Sequence, residues 1–142
     1  MSKSFSERIA LMNAMYRLPA NSKPIVPEDT AERLKRFKTI LSDEVDEVDE
    51  IVELAEKRGS DVDVAVALAD LLGDIIVYCH SEALKYGLPL DDVLEIIMDS
   101  NESKLGIDGQ PIYDINGKFL KGPNYWKPEE KIKKLFLTYM QK

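Results

Sequence analysis

Residues 42–53 read SDEVDEVDEIVE, and residues 70–74 read DLLGD. Advancing 100° per residue sorts the first stretch into faces. Leu34, Phe37, Leu41, Val45, Val48, Val52 and Ala55 form an apolar stripe, and Asp43, Asp46, Asp49, Glu50 and Glu53 point away from it. Glu44 falls inside the stripe, between Ile51 and Ala55, and Glu47 lies at its margin beside Ile40. The pattern predicts a long helix that turns two acids toward whatever it packs on.

The second stretch repeats the oddity. Asp70 and Asp74 are one turn apart in a stripe with Ala67, Val77 and Ser81. From Asp43 to Asp74 there are twelve carboxylates but only two cations, Lys57 and Arg58, so local ion pairing cannot satisfy the inward-facing four. Burying an unpaired charge is costly. The acids must stay protonated, take a Lys or Arg from another helix or subunit, or hold a cation between the helices. Two acidic pairs at i,i+3 and i,i+4 spacing on facing helices make an all-oxygen donor set, which favours Mg²⁺, Mn²⁺ or Ca²⁺ over zinc. Cys79 and His80 project on other sides of their helix and do not join the set.

Working outward, five helices are expected. Ser4-x-x-Glu7 opens the first, from Phe5 to Tyr16, as a capping box. A connector with three prolines spans Leu18 to Pro27. The second helix covers Glu28 to Arg58 and stops at Gly59. Ser60 opens the third, which ends at Tyr86 before Gly87, and the fourth covers Leu90 to Lys104. In IYDINGKFL, Asn116-Gly117 predicts a type I′ turn and a small β-hairpin. Pro128 starts the fifth helix. The third helix, VDVAVALADLLGDIIVYCHSEAL, is apolar nearly all round and requires cover on every side. Four helices of a small chain cannot supply it. The expected fold is therefore all-α: one domain over 1–142, an antiparallel bundle of about five helices with a small C-terminal β-hairpin, completed by oligomerisation as a homodimer or homotetramer.

Bulk properties narrow the function. A chain of 142 residues can bury one core. One cysteine and one histidine exclude both an internal disulfide and a structural zinc site. A net charge of −7 repels polynucleotide backbones but leaves a single nucleotide open if cations screen the site. Neither a signal sequence nor a membrane-length apolar run is visible, so a cytoplasmic location is expected.

Taken in order, these motifs resemble the all-α nucleotide pyrophosphohydrolases: MazG-like proteins, phosphoribosyl-ATP pyrophosphohydrolases and dimeric dUTPase-like proteins. Asp43-Glu44-Val45-Asp46-Glu47 resembles their E-E-x-x-E motif, and Asp70-Leu71-Leu72-Gly73-Asp74 their following E-x-x-D. SNESK at 100–104 and GKFLKGPNY at 117–125 are similar to the downstream segments of one branch. The resemblance runs from Leu34 to Trp126. It departs at Asp43, which replaces an outward Glu, and at Leu71, which stands where the second motif has its Glu, with Asp70 the nearest carboxylate.

The resemblance implies Mg²⁺-dependent cleavage of a nucleoside triphosphate between the α and β phosphates, releasing the monophosphate and pyrophosphate. A pyrimidine deoxynucleotide or a damaged nucleotide is the expected substrate. Glu44, Glu47, Asp70 and Asp74 become the metal ligands, with Glu44 and Glu47 the catalytic pair and Glu47 the candidate to orient water. Asn101 and Lys104, set among Leu94, Ile97 and Met98, become phosphate contacts. Lys118 and Lys121 join them either as phosphate contacts or as ordinary solvated lysines. Tyr125 and Trp126 either stack on a base or anchor the tail, and anchoring is preferred. Two alternatives are phosphoribosyl-ATP pyrophosphohydrolase, from which the GKFLKGPNY tail points away, and a non-catalytic helical oligomer that binds metal or nucleotide, which Leu71 keeps open.

Overall fold

Helix starts follow the capping chemistry of the sequence. The computed structural model describes residues 2–141, and they are all-helical apart from turns and connectors. Helix α1 spans Phe5–Met15. The Ser4 side chain accepts from the Glu7 N–H at 3.2 Å, and the Glu7 carboxylate accepts from the Ser4 N–H at 2.8 Å. Helix α2 spans Thr30–Glu56, two residues shorter at each end than expected. Helix α3 spans Asp61–Lys85, with Ser60 accepting from the Asp63 N–H at 3.1 Å. The chain forms two compact units, one ending at Gly87 and one beginning at Leu88.

In the first unit α3 packs on both α2 and α1. The short link between α2 and α3 makes them antiparallel neighbours. Arg58, at φ 55°, takes the left-handed turn expected of Gly59. Gly59 serves a different purpose, because a Cβ there would come within 2.8 Å of the Leu54 side chain. The proline-containing connector supplies donors to the unpaired carbonyls at the end of α3. Asn21 N–H reaches Leu84 at 2.9 Å, its side chain reaches Lys85 at 2.7 Å, and Ile25 N–H reaches Tyr86 at 2.9 Å. Gly87 adopts φ 65° with the Lys23 backbone pressed against it, so only glycine fits.

A buried polar clasp joins α1, the connector and α3. Asn13 is fully buried; its amide donates to the Pro19 and Ser81 carbonyls at 3.1 and 3.2 Å, and the Ser81 hydroxyl donates back at 2.6 Å. Much of α3 nonetheless lies open in the single chain. Val62, Val66, Leu68, Leu72 and Ile76 are exposed, as are Leu34, Val45, Val48 and Val52 on α2.

The second unit pairs α4 (Leu90–Glu102) with α5 (Glu129–Met140). Here α4 stops two residues before the expected end, placing Lys104 in the turn beyond it. The expected hairpin does not form. Among the described residues there is only an isolated antiparallel bridge between Tyr113 and Phe119. A type I′ turn needs positive φ at both central residues. Gly117 has it, at 80°, but Asn116 does not. Asp114 captures the turn instead: its carboxylate accepts from the Asn116 and Lys118 N–H groups at 2.8 and 2.9 Å, and its carbonyl accepts from Gly117. An Asx turn therefore sets the loop, and the pairing ends after one bridge.

Replacing Asn13 with Ala is expected to cost about 2–3 kcal/mol, because Ser81 and two carbonyls lose their partner in a site closed to water. Removing the exposed Ser4 cap by Ser4→Ala should cost about 1 kcal/mol. Urea denaturation of both variants checks the order; equal losses would contradict the clasp.

Candidate metal and nucleotide site

The side chains of α2 that turn toward α3 are Phe37, Leu41, Glu44, Ile51 and Leu54, all half-buried. This is a correction to the expected stripe. Leu34, Val45, Val48 and Val52 were expected to face the core, but they are exposed. The contact face is rotated so that Glu44 sits at its centre. The cause is that α2 carries two adjacent apolar bands, and within one chain α3 covers only one.

Glu44 is the point of tension. Its Oε2 is shielded from solvent and has no hydrogen-bond partner. Burial raises its pKa above the usual carboxylate value, and the nearby Glu47, Asp74 and Asp70 carboxylates raise it further. The other three acids singled out from the sequence therefore each act on Glu44, Glu47 from α2 and Asp70 and Asp74 from α3. Neutralisation of these acids by a Lys or Arg is not met among the described residues. Among the described residues, the ion pairs of α2 and α3 are Arg33–Asp29, Lys35–Glu32, Lys57–Glu53 and Lys85–Glu82, and none involves these four acids.

The match to a cation is one of chemistry rather than finished geometry. Carboxylate oxygens are the donor chemistry that a hard divalent ion prefers, and Glu44 has an orphaned one with three more acids nearby. Glu47, Asp70 and Asp74 are exposed, however, and no three His, Cys, Asp or Glu among the described residues converge closely enough to hold a metal. Leu71, at the departed motif position, is 3% exposed and belongs to the core of α3. His80 stacks edge-to-face on Phe5, with ring centroids 4.8 Å apart, away from the acids as expected.

The second unit gathers some of the expected phosphate contacts. Gly122 N–H donates to the Lys104 carbonyl at 2.8 Å, and a Cβ on Gly122 would lie 2.2 Å from the Leu105 carbonyl. Glycine thus lets the tail close onto the turn after α4. Lys104 is half-buried there, beyond the exposed Asn101. Lys121 Nζ lies 5.1 Å from the Tyr125 ring centre. Lys118 stays exposed on the Asp114 turn. Tail anchoring falls chiefly to Trp126, whose backbone bonds the Ser100 and Ser103 hydroxyls and whose ring lies 3.7 Å from Lys131 Nζ. Ser100 and Ser103 were missed as anchors, although both stand in the SNESK segment.

Comparison with solved structures finds a protein from Exiguobacterium sp. 255-15 described as a "putative NTP pyrophosphohydrolase". It superposes with a TM-score of 0.54 at 18% identity, covering 99% of this chain and 98% of that one. The likeness extends along the whole chain and concerns the fold. No family model matches the sequence. No curated protein matches it either.

The raised pKa of Glu44 has a definite consequence for stability. The folded state holds its proton more tightly than the unfolded chain, so stability falls as pH rises from the ordinary carboxylate range through the raised value. In metal-free buffer at pH 7, Glu44→Gln should melt at a higher temperature than the parent. The gap should close once the pH drops below the ordinary carboxylate value. Thermal melts of both proteins across pH check this, and a variant that is less stable at pH 7 would contradict it.

Proposed function

We propose that the chain is a Mg²⁺-dependent nucleotide pyrophosphohydrolase that converts a nucleoside triphosphate, a pyrimidine deoxynucleotide or a damaged one, to its monophosphate and pyrophosphate. The observation that carries this reading is the shielded oxygen of Glu44, without a hydrogen-bond partner amid three other acids, none of the four joined in an ion pair among the described residues. Such a centre repels a triphosphate by itself. A bound divalent ion would reverse the local sign, polarise phosphoryl oxygens and acidify water. Glu44, Asp70 and Asp74 are the proposed ligands. Glu47, more exposed than Glu44, is suited to orient the attacking water as well as to share the ion. Asn101, Lys104, Lys118, Lys121 and Tyr125 are the proposed substrate contacts.

The name of the Exiguobacterium neighbour supports the same chemistry. One observation favours a second reading, a non-catalytic module that binds metal or nucleotide: Leu71 is buried core where the resembled motif has an acid. Phosphoribosyl-ATP hydrolysis is less favoured, because of the GKFLKGPNY tail. The exposed apolar bands of α2 and α3 support self-association as part of this proposal.

Pyrophosphate release should be measured over a panel of nucleoside triphosphates and phosphoribosyl-ATP with Mg²⁺. Turnover of triphosphates is expected, with a loss of about a hundredfold or more in Glu47→Ala and in Asp74→Ala. Folded protein without turnover of any compound would leave the binding-module reading. Mg²⁺ or Mn²⁺ should also raise the melting temperature by linkage, by about 2.7 kcal/mol of stability at a hundredfold excess over Kd. For self-association, sedimentation should find an oligomer in the parent and a monomer in Leu72→Glu. A monomeric parent would remove that part of the reading.

A further inference from the structure

A second polar cluster lies outside the acidic centre, within the first unit. A cavity of about 320 Å³ opens between the N-terminal half of α2, the C-terminal end of α3 and the start of the connector. Its apolar wall is Leu18, Pro19, Phe37 and Ile40, and its polar wall includes Arg33, Arg36, Glu82 and Lys85. Glu82 is a buried acid, 8% exposed, bonded to Lys85 at 3.0 Å. Arg33 Nε is held by Asp29 at 3.0 Å, while its Nη1 is shielded and without a partner. None of these groups has a task in the acidic centre.

The chemistry of the two walls decides the kind of ligand. Two of the three cations are paired with Asp29 and Glu82, so the polar wall carries a net charge of only +1, from Arg36, beside its directional donors and acceptors. A phosphate would meet the Glu82 carboxylate. A flat heterocycle with N–H and carbonyl groups on its edge, and apolar faces to lie on Phe37 and Ile40, matches both walls. The position along α2 agrees. Ile40 and Phe37 precede Glu44 by four and seven residues, a rise of about 6 to 11 Å. That span accommodates a sugar and the first phosphate between the base and the acids.

We infer that this cavity is the subsite for the nucleobase of the substrate, with Phe37 and Ile40 against the ring and Arg36 and Glu82 reading its edge. The inference rests on the reading of the acidic centre as a nucleotide site. It adds where discrimination between bases resides.

The test is calorimetric binding to the full chain in Mg²⁺. The probes are the four common 2′-deoxynucleoside α,β-methylene triphosphates and inorganic tripolyphosphate. The parent should bind at least one nucleotide analogue tenfold or more tighter than tripolyphosphate. Phe37→Ala should bring that analogue to within about threefold of tripolyphosphate, and Glu82→Gln should change the order among the bases. Neither should move tripolyphosphate affinity. Arg36→Gln, an exposed change that cannot unfold the core, should weaken the preferred analogue without weakening tripolyphosphate. Unchanged nucleotide affinity in all three variants would overturn the base subsite while leaving the acidic centre as proposed. Failure of the parent to bind either analogue or tripolyphosphate would overturn both.

Discussion

A carboxylate held in a helix–helix seam without a counter-charge is the constraint around which the first unit is arranged. Glu44 occupies the middle of the α2 face that meets α3, where helix packing normally installs a Leu or Val. Its neighbours Glu47, Asp70 and Asp74 add repulsion instead of relief. A helix pair that optimised stability alone would not retain this arrangement, because a shielded carboxylate without a hydrogen-bond partner weakens the seam it sits in. Strain of this kind persists when surrounding structure holds it in place. The Asn13–Ser81 clasp and the connector over the end of α3 supply that support, away from the acids.

The inward turn of Glu44 was legible in the sequence because helical periodicity is a strong signal over 27 residues. Glu47, Asp70 and Asp74 were expected to turn inward with it, but they are exposed. What periodicity could not give was the rotation of α2. Two apolar bands lie side by side on it, one ending in Leu41 and Leu54 and the other in Val45 and Val52. A single sequence does not say which band a neighbour in the same chain takes. The five helices and most caps were also legible, but the hairpin was not. The Asn-Gly dipeptide is a local signal, and Asp114, two residues earlier, offers its own carboxylate to the same N–H groups. The base cavity was invisible for another reason: Arg33, Phe37 and Glu82 come together only through the antiparallel pairing of α2 and α3.

Leu71 shows how a motif departure can be read structurally. Its side chain is among the most buried of the chain. Had an acid stood there, α3 would bring one more charge into the same seam as Glu44. The substitution trades a potential ligand for packing, and it leaves Asp70 and Asp74, at more exposed positions, as the acids of α3. A centre with one seam carboxylate and three at its rim has less charge to hold than one with two in the seam. It is correspondingly easier to keep folded before any cation binds.

The faces of α2 therefore carry separable duties. Its seam places Glu44 against α3, and its N-terminal half lends Arg33, Phe37 and Ile40 to a mixed cavity one to three turns away. A third band, Val45, Val48 and Val52, is left open to solvent. One rigid helix of 27 residues fixes the distance between acids and cavity by its rise alone, about 1.5 Å per residue. A ligand that bridges them is measured against a ruler that no loop motion can alter. Selectivity can then reside in the cavity while the charge chemistry stays at the acids, because a change at Phe37 or Glu82 alters one end of the ruler and leaves Glu44 where it is.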